Sequence, residues 1–308
     1  MTALPRAVSV REVGPRDGLQ IEAPVPTARK AELLHALAAT GVPRIEATAF
    51  VSPSAVPSMA DAEDVAALLA ELPQVSWSAL VAGPRGATRA LAAGVRDLEY
   101  VVSVADGHSL ANARRTAEQA LSATGEIAER VHDAGGVLEV VLAVAWDCPF
   151  DGPTAVARVA AAAGRAVALG ADALCLGDTI GTASPTRVVT LLEAVRAEVG
   201  DVPIGCHFHD TRGMGIANAL AAVQAGVTML DASVGGLGGC PFAPGASGNI
   251  ATEELVYLLD DAGVETGVRL DAVLDAARLA ADVVGHDLPS GLLRAGGRSA
   301  PAPRPVRT

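Results

Sequence analysis

His207 and His209 flank Phe208 and precede Asp210, at the end of the apolar run Val202-Pro203-Ile204-Gly205-Cys206. That run reads as a buried strand, and side chains two apart on a strand share a face. The two imidazoles therefore project together while Phe208 turns away. Paired imidazoles at a strand end suit chelation of a divalent metal. Structural histidines would leave the same tripeptide, so the surrounding elements have to decide.

Those elements alternate. Short β-branched runs at 8–13, 44–50, 76–82, 98–104, 137–145, 171–177, 202–208 and 228–234 read as strands. Amphipathic Ala/Leu-rich runs at about 27–40, 61–70, 86–93, 109–134, 154–169, 185–199, 213–225 and 251–263 read as helices. Eight strand–helix units imply a parallel sheet, and eight strands close a barrel. An open doubly wound sheet is the alternative, but no glycine-rich dinucleotide fingerprint favours it. The expected fold is α/β, a single-domain (β/α)8 TIM barrel over 1–285 that ends in an extra helix at 269–284. From His286 the composition turns to Gly, Pro and Arg, so 286–308 reads as a disordered tail.

Barrel chemistry sits at the C-terminal ends of the strands. The first strand ends in Glu12-Val13-Gly14-Pro15-Arg16-Asp17-Gly18, the second carries Glu46, the sixth ends in Asp178, and the seventh in the histidines. Arg16 and Asp17 could be an ordinary surface pair. Gly14, Pro15 and Gly18 around them instead suggest a fixed turn aimed into the barrel mouth. The glycine-rich loop 235–248 could be a linker or a lid, with Cys240 as a candidate acid or base. So many ionisable groups at one end would be costly to bury without partners or a metal.

Bulk properties narrow the partners. The chain of 308 residues carries 23 basic and 35 acidic side chains, a net charge of −12, which argues against nucleic acid. The four cysteines (Cys148, Cys175, Cys206, Cys240) are widely spaced and read as reduced thiols. No apolar stretch suits a signal peptide or a membrane span, so a cytoplasmic protein is expected.

The segments Glu12 to Gln20, Phe50 to Pro53, Leu176 to Gly181, His207 to Thr211 and Gly235 to Asn249 together resemble the hydroxymethylglutaryl-CoA lyase family, over most of residues 8–265. The resemblance implies carbon–carbon cleavage of a 3-hydroxy-acyl-CoA to an acetyl-CoA enolate and a keto acid. It implies Mg²⁺ or Mn²⁺, with Zn²⁺ less expected, on Asp17, His207, His209 and Asn249. Arg16 would stabilise the enolate oxygen. Glu46 and Asp178 would order the hydroxyl and water, and Cys240 would handle a proton. Arg16, Gln20 and Asn112 would contact the acyl-CoA. A homodimer is implied by analogy. Rival readings are a Claisen-type condensing enzyme, as in isopropylmalate or homocitrate synthases, and a catalytically silent barrel that serves as a binding protein.

Three departures from the family pattern stand out. Ile21-Glu22-Ala23 replaces a more basic segment, the loop around Leu110 lacks a positive pair, and Glu139 stands where strand 5 usually begins with Arg. All three reduce positive charge. They predict weaker attraction for CoA phosphates and a substrate carboxylate, and hence poor turnover of hydroxymethylglutaryl-CoA. Arg85 or Arg114 would have to compensate if that substrate is used well.

Overall fold

The computed structural model describes residues 4–239 and 248–297. Eight parallel strands form a closed barrel: β1 (Ser9–Glu12), β2 (Arg44–Phe50), β3 (Ser76–Val81), β4 (Asp97–Ser103), β5 (Leu138–Ala143), β6 (Ala173–Asp178), β7 (Ile204–Phe208) and β8 (Met229–Ala232). Each strand pairs with its sequence neighbours, and β1 closes the circle against β8 with Arg11 opposite Asp231. The expected (β/α)8 barrel is therefore the observed one. A small antiparallel hairpin, Asp147–Cys148 with Gly152–Pro153, decorates the loop after β5.

The core is aliphatic, as a chain with 3% aromatics requires. Val159, Ala163 and Ala166 on the helix Val156–Ala168 are fully buried, as are Val188 and Val195 on the helix Pro185–Val199. Small side chains let neighbouring helices sit closely against the sheet. Among the described residues, no helix is long and apolar enough to cross a membrane.

Two expectations need revision. The helix expected over 109–134 is three segments: Asp106–Ala113, Ala117–Ser122 and Thr124–Asp133. Arg114 takes a left-handed conformation (φ 55°) and ends the first segment. Thr116 and Gln119 then form a capping box that starts the second. The region from His286 was expected to be tail, yet its first part packs on the barrel. Leu288 is buried against Gly235, and the Ser290 hydroxyl caps a short helix over Gly291–Ala295. Residues 298–308 lie outside the described residues. The extra helix is present as Leu270–Val284.

Candidate active site

After β1 the chain folds into a tight π-helical turn over Gly14–Gly18. The Arg16, Asp17 and Gly18 amides all donate to the Val13 carbonyl, at 3.1, 2.7 and 3.2 Å. This turn buries Arg16 and Asp17 in the barrel mouth, as their glycine and proline brackets suggested. Gly14 is required by close approach: an added Cβ would lie 2.7 Å from Glu12 Oε1.

Glu12 joins this turn to the loop after β8. Its Oε1 accepts from the Gly14 amide (2.7 Å) and the Val234 amide (2.9 Å), and its Oε2 from the Thr252 hydroxyl (2.6 Å). Burial pushes the Glu12 carboxyl up to about 7, although all three hydrogen bonds oppose the shift.

The histidines meet Asp17 here. Donor atoms of Asp17, His207 and His209 all lie within 4.8 Å of one another. The two Nε2 atoms are 3.1 Å apart, and they lie 3.9 Å (His207) and 3.8 Å (His209) from Asp17 Oδ2. Burial alone would raise Asp17, but Arg16 and the two histidines outweigh it and hold the carboxyl far below the usual range.

Asn249 arrives beside His209 through a backbone bridge. The Asp210 amide donates to Gly248 O (3.0 Å), and the Ile250 amide to Phe208 O (3.1 Å). Asn249 Nδ2 donates to Asp17 Oδ2 (2.7 Å) and Leu237 O (2.9 Å), while its Oδ1 is buried without a hydrogen-bond partner. An orphaned buried oxygen beside two imidazoles and a carboxylate fits a divalent cation. The four implied ligands therefore converge.

Around them, Arg16 donates through Nε to Glu46 (2.6 Å) and through Nη1 to Asp17 (2.5 Å). Glu46 is fully buried on β2, next to an irregularity in the β2–β3 register between Glu46 and Thr48. Burial and neighbouring Glu99 push its carboxyl up against the pull of Arg16. Gln20, expected to contact substrate, donates to Asp17 Oδ1 at 2.8 Å, which steadies the carboxylate. Asp178 caps the loop after β6, accepting from the Thr182 and Ala183 amides at 2.9 and 3.1 Å. Asn112 lies exposed on the helix Asp106–Ala113 and joins none of these groups. Cys240 lies outside the described residues.

The sequence reading missed the groups beneath the site. His207 Nδ1 lies 3.1 Å from Asp231 Oδ2, and Asp231 receives two bonds from Arg11, at 2.8 and 2.9 Å. Arg11 also meets Glu99 (2.9 Å) and Glu139 (2.7 Å). Glu139 therefore does not strip charge from the mouth, because it is buried against Arg11. The available signal was a charged residue at an inward position of an apolar strand, as in Val10-Arg11 and Leu230-Asp231.

Comparison with known proteins agrees with this geometry. Residues 7–280 match the family described as HMGL-like. The chain is 40% identical to an (R)-citramalyl-CoA lyase of Chloroflexus aurantiacus, over 94% of this chain and 95% of that one. It is 38% identical to the hydroxymethylglutaryl-CoA lyase YngG of Bacillus subtilis, over 93% and 96%. An HMG-CoA lyase from Acinetobacter baumannii, solved with coenzyme A and 3-methylmalate, superposes with a TM-score of 0.93 at 39% identity, covering 99% of this chain and 100% of that one.

Proposed function

The chain belongs to the HMGL-like family, and from that premise we propose that it cleaves a 3-hydroxy-3-methylacyl-CoA into acetyl-CoA and a keto acid. It is a carbon–carbon lyase on a closed barrel. The observation that carries the reading is the joined cluster of Asp17, His207, His209 and Asn249 with Arg16 bonded to its edge.

In this reaction the C3 hydroxyl loses a proton, the C2–C3 bond breaks, and its electron pair moves onto the thioester as an enolate. Reprotonation at C2 gives acetyl-CoA, and C3 leaves as the ketone of the keto acid. Asp17, His207, His209 and Asn249 would hold a divalent cation. When bound, it polarises the substrate oxygens as a Lewis acid. The mixed carboxylate, amide and imidazole set favours Mg²⁺ or Mn²⁺ over Zn²⁺. Arg16 places a fixed positive charge where the enolate oxygen develops, with its Nε and Nη1 anchored by Glu46 and Asp17. Asp178 and Glu46 order the polar groups around the hydroxyl, and Cys240 is assigned the proton transfer. The same reading takes the protein as a cytoplasmic homodimer, which fractionation and sedimentation equilibrium would test.

With Glu139 turned toward Arg11, two of the three departures remain, and both concern CoA. Ile21 and Leu110 are exposed at 46% and 52%, so neither segment places a positive charge there. Arg85 and Arg114, the basic groups that would have to compensate, are both exposed. The expected consequence is a raised KM for any CoA thioester rather than rejection of one acyl group. The test is steady-state cleavage of (R)-citramalyl-CoA and hydroxymethylglutaryl-CoA by the Mn²⁺-loaded enzyme, with keto-acid products read by mass spectrometry. At least one should reach kcat/KM of about 10⁴ M⁻¹s⁻¹. Failure of both to be cleaved refutes the proposal.

A further inference from the structure

We propose that Arg11 and Asp231 are positioning residues that set the orientation of His207 for metal binding. The inference rests on the metal site described above.

On β1, β8 and β7, Arg11 lies opposite Asp231, and Asp231 lies opposite His207. Three adjacent strands thus carry three polar residues in one row, all turned into the barrel. The bonds follow that row: Arg11 Nε and Nη2 to the two Asp231 oxygens, then Asp231 Oδ2 to His207 Nδ1. A carboxylate at Nδ1 requires that nitrogen to carry the proton. Nε2 is then left with its lone pair, on the side facing His209 and Asp17.

The arrangement works only if Asp231 cannot rotate. The two-point bond to a planar guanidinium fixes its plane. Arg11 is itself 1% exposed and faces two more carboxylates, Glu99 and Glu139. Glu99 also accepts from the Ser78 hydroxyl, so the group that clamps Asp231 is itself anchored.

A merely structural ion cluster would share most of these contacts, so the test must read the metal site. Full-length protein stripped of metal would be titrated with Mn²⁺ alone by isothermal calorimetry, with circular dichroism melts as the folding control. Asp231→Asn keeps shape and removes the charge, and Arg11→Met removes the clamp. Each should weaken Mn²⁺ binding on the order of 10–100-fold, as loss of a ligand's supporting partner does. Arg11→Lys, with charge but no fork, should fall between Arg11→Met and the wild type. Should Arg11→Met fail to fold, Asp231→Asn still decides. Folded variants that bind Mn²⁺ within twofold of wild type overturn the positioning role while leaving the metal site intact. Wild-type protein that binds no Mn²⁺ overturns the metal site and this inference together.

Discussion

Glu12→Gln tests whether the link between the turn after β1 and the segment after β8 carries a buried acid. In the unfolded chain this carboxyl ionises near its ordinary value of 4.5, and in the folded protein burial raises that to about 7. Each tenfold step is worth about 1.4 kcal/mol, so ionising it in place costs the fold about 3 kcal/mol. The sign follows from proton counts. Between pH 4.5 and 7 the folded state binds more protons than the unfolded state. Stability therefore falls as pH rises through that window and levels off above it. Glutamine fits the same partners: its oxygen can accept from the Gly14 and Val234 amides, and its NH2 can donate to Thr252 Oγ1. The variant should match wild type near pH 4.5 and exceed it by up to about 3 kcal/mol at pH 8. Urea denaturation at the two pH values measures this directly. Glu139 and Glu253 are also raised and leave some slope in both proteins. Two curves that run parallel from pH 4.5 to 8 would refute a buried proton on Glu12.

Three further outcomes are expected. Arg16→Gln should lower kcat by about 10²–10³ with little change in KM, because its charge acts on the developing enolate; near wild-type kcat would reduce Arg16 to an ion-pair partner of Glu46. His209→Ala should lose bound metal and activity together, so an unchanged metal content by elemental analysis would remove His209 from the ligand set. Gly238 has φ 119°, and an added Cβ would lie 2.6 Å from Asn249 Nδ2, so Gly238→Ala should displace Asn249 and weaken Mn²⁺ affinity measurably by calorimetry.

The local parts of this protein are legible in its sequence. Period-two spacing put His207 and His209 on one face, and glycine and proline around Arg16-Asp17 marked a rigid turn. Alternation of β-branched and Ala/Leu-rich runs gave eight units and hence a barrel. These are short-range signals, because backbone geometry repeats over a few residues. The tertiary structure decided the rest. Asn249 reaches His209 across 40 positions by pairing with the end of β7. Arg11 and Asp231, 220 residues apart, meet because the first and last strands close the circle. Glu139 looks like a lost positive charge until the closed barrel seats it against Arg11. Leu288, in the expected tail, is packed on the barrel by filling the space above Gly235. In each case the sequence showed a polar or apolar residue without its partner. The partner was fixed by the tertiary fold, which brings together residues that no local periodicity relates.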